Sequence, residues 1–191
     1  MPADMAEIYI GTKFRTEFAR REPSRTEASE EFLEWCRRWS EAGWIGKAMG
    51  NLSFRSESGF VITPTGRDPK TLTAADLVEV VTVQFLPPVL TVAGQHEPSS
   101  ESLMHAAIYA ARPGIGAVFH GHSDVLLEAA GRLGLPVTRR ERPYGTAAMA
   151  DEVLDVLGGH AVMIMREHGF VAVGRTMAEA DGAVRRTLAR V

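Results

Sequence analysis

From residue 99 onward, helix-like and strand-like segments alternate with clear punctuation, and this alternation constrains the fold more than any other feature. "SSESLMHAAIYAARP" places apolar residues at helical spacing and stops at Pro113. "GAVFHGH" reads as a strand, "DVLLEAAGRLG" as a helix closed by Gly134, "LPVTRR" as a short strand and "TAAMADEVLDVLGG" as a helix. "HAVMIMREHG" and "FVAVG" follow as strands, and "TMAEADGAVRRTLARV" as a final amphipathic helix. Helices interleaved with strands pack on the faces of a sheet. The pattern predicts an α/β fold: a single domain with a central mixed or antiparallel sheet flanked by helices.

The first half is less regular. "SRTE" at 24–27 has capping-box spacing, and Phe32, Leu33, Cys36 and Trp39 form an apolar stripe, predicting a helix over 26–42. "GNLSFRSESGFVITPTG" at 50–66 predicts two strands around a polar turn at Ser56 to Gly59. "TLTAADLVEV" predicts a short helix capped by Thr73, and "VVTVQFLPPVL" a strand ended by Pro87 and Pro88. Residues 1–23 are charged and lack a period, so they are expected to be an N-terminal arm, either partly disordered or packing on a neighbour, leaving 24–191 as the domain.

At 191 residues and 45% hydrophobic, the chain can bury one sizeable core. A net charge of -3 with only short basic runs argues against a nucleic-acid partner. No apolar run reaches membrane-span length, and "MPADMAEIYIGTKFRTEF" lacks the apolar core of a signal peptide. Cys36, the one cysteine, excludes an intrachain disulfide; its place in the helical stripe suggests a buried thiol in a reducing, cytoplasmic setting.

Chemistry concentrates in four places. In "AVFHGHS", His120 and His122 stand at i and i+2 on an extended segment, so both imidazoles face one space, as two metal ligands require. A third ligand must come from His96, His105, His160 or His168. His168 follows a strand in "REHGF" and is the strongest of these; His105 is in phase with a helix's apolar face, while His96 and His160 sit in loop-like contexts. Glu101, in the first turn of the 99–113 helix, suits either the helix dipole or a proton shuttle beside a cation. Ser99 and Ser100 open that helix, where free backbone donors suit an anion. Thr65 and Gly66 in "TPTG", with Asn51 in "GN", could complete a phosphate cradle.

"GNLSFR…GFVITPTG", "PSSESLMHAAIYAARP", "AVFHGHS" and "EHGFVAVGRTMAEA", in that order, resemble the class II aldolase and adducin family across roughly residues 28–190. Its enzymes include L-fuculose-1-phosphate aldolase, an epimerase and methylthioribulose-1-phosphate dehydratase. The resemblance implies zinc, or another divalent transition metal, on His120, His122 and His168, with Glu101 as acid/base carboxylate. It implies phosphate contacts at Asn51, Thr65, Gly66, Ser99 and Ser100. The implied reaction is cleavage of a ketose 1-phosphate through a metal-stabilised enediolate to dihydroxyacetone phosphate and an aldehyde. The implied assembly is a homotetramer with active sites between neighbours.

Two departures bear on the reaction. Only 45 residues separate His122 from His168, and the missing part is where the aldolase carries a tyrosine that protonates the leaving aldehyde oxygen. Tyr144 lies nearby but matches a structural tyrosine. Only 23 residues follow His168, so the tail that covers the aldolase site is absent or replaced. A dehydratase or decarboxylase on the same metal site is therefore the alternative. Epimerisation is disfavoured because Glu101 is not aspartate, and a non-enzymatic adducin-like role because every implied ligand is present.

Overall fold

The computed structural model describes residues 11–23 and 26–191. Among these, eight strands form one sheet: β1 (Arg15–Arg20), β2 (Asn51–Arg55), β3 (Phe60–Ile62), β4 (Val78–Phe85), β5 (Pro88–Ala93), β6 (Ala117–Gly121), β7 (Val162–Met165) and β8 (Gly169–Gly174). Five helices cover it: α1 (Ser29–Glu41), α2 (Ser102–Ala111), α3 (Asp124–Leu133), α4 (Ala147–Leu157) and α5 (Met177–Leu188). The strand order is β1-β5-β4-β3-β2-β6-β8-β7. Only the β1–β5 pair is parallel, so the sheet is mixed and the α/β expectation holds.

Strand alternation divides the interior into two cores. Ile62, Val118, Val171 and Val173 face α2 and α4, packing on Leu103, Met104, Ile108, Met149 and Val153. Their neighbours Val61, Phe119, Phe170 and Ala172 face α1, α3 and α5, packing on Phe32, Trp39, Leu126 and Val184. With both faces covered, central strands such as β6 are buried at every position. Cys36 lies fully buried in the second core, where burial pushes its thiol pKa up.

Four local expectations change. The segment at Thr73 makes a single turn: Thr73 bonds through backbone and hydroxyl to Asp76, and the chain then enters β4. One turn is too short to propagate a helix, and the valine-rich run is β-branched. Pro88 begins β5, a position where a strand tolerates proline, so "FLPP" is a hairpin turn and more than a strand end. "LPVTRR" contributes one parallel bridge, Val137 to Ile164, and no strand. Within the expected arm 1–23, residues 15–20 form the edge strand β1, with Phe14 buried and Phe18 packed against the first core. Residues 1–10 of the arm, and Ser24 of the capping box, lie outside the described residues. The observed α1 starts at Ser29 with no side-chain cap from Ala28.

Candidate active site

Three strand ends and one helix start meet at one edge of the α2-facing core. Asn51 begins β2 opposite His120 near the end of β6, and His120 is opposite Val171 on β8. His122 follows β6, tied by its backbone N–H to the Trp44 carbonyl at 2.9 Å. His168 sits in the turn joining β7 to β8, where Glu167 adopts a left-handed φ of 55°. Glu101 is the N-cap residue of α2 and points back over the strand ends.

The three imidazoles form a nearly equilateral cluster. Ring centroids are 5.0, 5.0 and 5.1 Å apart, and one ligand nitrogen from each lies within 4.8 Å of the others. His120 is fully buried; its Nδ1 donates to the Phe170 carbonyl at 2.9 Å. A neutral ring that donates through Nδ1 presents a lone pair at Nε2. That Nε2 has no hydrogen-bond partner, although Glu101 Oε2 is 3.1 Å away. A buried ring nitrogen facing a carboxylate oxygen needs a positive centre between the two: a proton makes the ring a cation beside Glu101, and a metal ion would satisfy both atoms as acceptors. Burial, reinforced by repulsion from His120 and His168, lowers the His122 pKa to about 3, keeping it neutral as a ligand must be. Nitrogen donors of this kind suit zinc and similar divalent ions.

Glu101 is buried and held at both oxygens. Oε1 accepts from His168 Nε2 at 3.0 Å, and Oε2 accepts from Asn51 Nδ2 at 2.7 Å. Burial alone would raise its pKa, but the imidazoles of His120 and His168 overcome that and hold it well below the usual carboxylate range.

The candidate phosphate residues converge beside this pair. Thr63, just after β3, exchanges bonds with Leu52 of β2, and a Pro64–Pro98 bridge brings Thr65 and Gly66 alongside Ser99 and Ser100. Thr65 N–H bonds the Glu97 carbonyl at 3.1 Å, and Gly66 turns the chain at φ +69°. Gly145 supports Ser100 from below: a Cβ there would lie 2.4 Å from the Ser100 carbonyl oxygen. Asn51 bonds Glu101 through Nδ2 and His105 through Oδ1.

The other histidines separate clearly. His96 pairs with Asp76 at 3.1 Å, and His160 is an exposed turn residue whose carbonyl accepts from Arg112. His105 is fully buried and bonds Asn51 Oδ1 at 2.6 Å, one residue removed from Glu101. Tyr144 is buried beneath the Lys13 ammonium, which lies 3.9 Å from its ring centre. Two further residues, not singled out from the sequence, join this cluster: Ser53, which bonds His105 Nδ1 at 2.7 Å, and Tyr109, which bonds Ser53 at 2.9 Å. Asn51 and Ser53 at i and i+2 share a strand face, and Glu101, His105 and Tyr109 at i, i+4 and i+8 share a helix face. Those two spacings carried the signal.

The family model for the class II aldolase and adducin N-terminal domain matches residues 30–185. The chain belongs to the class II aldolase and adducin family. Within that family, a 5-methylthioribulose-1-phosphate/5-deoxyribulose-1-phosphate aldolase of Rhodospirillum rubrum is 28% identical over 170 residues, 81% of this chain and 74% of the relative. A methylthioribulose-1-phosphate dehydratase of Gluconobacter oxydans is 35% identical over 97 residues, 50% of this chain and 44% of the relative. A solved L-fuculose 1-phosphate aldolase shares the family fold with a TM-score of 0.74 at 21% identity, covering 87% of this chain and 85% of that one. Among the described residues no helix is long and apolar enough to cross a membrane.

Proposed function

We propose that this protein is a metal-dependent lyase that cleaves a ketose 1-phosphate, or a similar sugar phosphate, to dihydroxyacetone phosphate and an aldehyde. The observation that carries this reading is the buried Glu101 carboxylate lying against two of three convergent imidazoles. His120, His122 and His168 are the proposed ligands, and Zn2+ is the proposed ion. A divalent ion held there supplies positive charge that stabilises the negative charge developing on substrate oxygen as a carbon–carbon bond breaks.

Glu101 moves the proton. In the synthetic direction the ionised carboxylate removes a proton from the carbon that will form the bond; in cleavage it returns a proton to that carbon, matching the one that the substrate hydroxyl releases as it becomes the aldehyde. Oε2 is anchored by Asn51, so Oε1, held by the His168 nitrogen that a metal ion would take, is the side that exchanges. Thr65, Gly66, Ser99 and Ser100 take the phosphate, together with the Asn51 Nδ2 proton that Glu101 does not use. Binding energy gathered there, away from the bond being broken, orients the reacting carbons. The sequence resemblance also supports a homo-oligomer of four chains.

Dehydration or decarboxylation on the same site is the second reading. It is supported by the 35% identity to a dehydratase over half of the chain, and it makes no use of the tyrosine missing between His122 and His168. A panel of ketose 1-phosphates assayed for dihydroxyacetone phosphate separates the two. Triose phosphate from at least one sugar is the expected result; water or CO2 loss without triose phosphate would replace the first reading by the second.

A further inference from the structure

Behind Glu101 runs a buried polar chain that the proton transfer does not itself require. Asn51 Oδ1 meets His105 Nε2 at 2.6 Å, His105 Nδ1 meets Ser53 Oγ at 2.7 Å, and Ser53 Oγ meets Tyr109 Oη at 2.9 Å. Asn51, Ser53, His105 and Tyr109 are all buried. One end sets the directions along the chain, with the Val118 carbonyl, 3.3 Å from Ser53 Oγ, as a second and longer acceptor for that hydroxyl. The Asn51 amide nitrogen lies 2.7 Å from Glu101 Oε2 and donates to it, and Oδ1 turns to His105. Oδ1 only accepts, so His105 carries its ring proton on Nε2. Nδ1 of that neutral ring is an acceptor, filled by the Ser53 hydroxyl, and the Ser53 oxygen in turn receives the Tyr109 proton. Burial lowers the His105 pKa to about 3, consistent with a neutral ring.

We propose that Tyr109, Ser53 and His105 form a positioning relay that locks the Asn51 amide with its nitrogen toward Glu101, so that one oxygen of that carboxylate stays anchored when a metal ion takes the nitrogens of His120 and His168. The proposal rests on the acid/base reading of Glu101. Of the contacts to the carboxylate, those from His120 and His168 come from atoms that a cation would claim; the one from Asn51 does not. A rotated Asn51 amide would set oxygen against carboxylate and N–H against N–H at His105, so the relay opposes that flip at both ends. His105 is thus a positioning residue, acting on Glu101 through Asn51.

Nitrogen-detected NMR of the histidine rings in the zinc-loaded protein reads the relay directly. The expected result is a His105 with protonated Nε2 and bare Nδ1; the opposite tautomer, or a doubly protonated ring at neutral pH, would overturn the proposal. Steady-state kinetics of two variants supply the second readout. His105→Gln can keep a donor near the Nε2 position, whereas His105→Asn keeps a polar atom only near Nδ1. With ketose 1-phosphate, kcat should fall about 100-fold in His105→Asn but no more than about 10-fold in His105→Gln, with KM within about 3-fold in both. Equal losses would make His105 a packing residue and overturn the relay. If the unaltered protein releases no triose phosphate, or the variants do not fold, the tautomer alone decides the relay; absence of turnover counts against the functional reading instead.

Discussion

Glu101 and His105 share α2, and their surroundings give them opposite tasks. Glu101 has its pKa held low by neighbouring imidazoles, and Glu101→Gln removes the proposed proton carrier while preserving shape. Turnover should fall about 10²–10⁴-fold, the usual range for a lost acid/base group, while zinc binding measured by titration stays near one ion per chain. His105 is neutral and buried, with a pKa lowered by burial from 6.5 to about 3. The unfolded chain therefore binds a proton that the folded chain refuses between those values, so stability rises with pH across that window and is lost as pH falls. Between pH 7 and 5 the His105 contribution should fall by about 2 kcal/mol in the metal-free protein. Urea unfolding at both pH values checks this, and His105→Gln should flatten the slope. His120 and His122 were legible because alternation on a strand needs only local sequence. The contact between Asn51 and Glu101 was not legible as a contact, because 50 residues separate them and only the β2–β6 register and the start of α2 bring them together.

The β7–β8 hairpin shows how tightly an element can set a site. Gly169 follows His168, and a Cβ there would lie 2.6 Å from the Gly121 carbonyl oxygen and 2.9 Å from His120 Cε1. Gly169→Ala therefore pushes the turn that carries His168 against the strand end that carries His120 and His122, all three proposed ligands. Overpacking of this kind costs about 1–3 kcal/mol, and we expect a lower unfolding midpoint together with zinc affinity reduced by about 10-fold or more. Calorimetric titration and a urea melt test both effects; unchanged affinity would separate the hairpin from the metal site. The helices after residue 99 were readable because caps and stops are local: Ser123, Thr146 and Thr176 cap α3, α4 and α5, and Gly134 ends α3 in the left-handed conformation. The edge strand β1 was hidden because only Phe14, Thr16 and Phe18 mark its inward face among charged neighbours. Its pairing with β5 is a long-range fact that no local period announces.

Across the molecule, the α2-facing core ends where β2, β6 and the β7–β8 turn terminate together, and the chemistry is assembled at that border from residues 51 to 168. The fold class followed from alternation of elements, while the arrangement of the site depended on strand order, which the sequence pattern left open. The proposed assembly of four chains predicts a mass in light scattering near four times the 20.8 kDa of one chain; a monomer would contradict that reading. The most direct test of the whole account is the release of dihydroxyacetone phosphate from a ketose 1-phosphate, followed in one preparation before chelation, after removal of metal, and after zinc is restored. The account predicts turnover that disappears with the metal and returns with zinc; turnover undiminished in the stripped protein would contradict it.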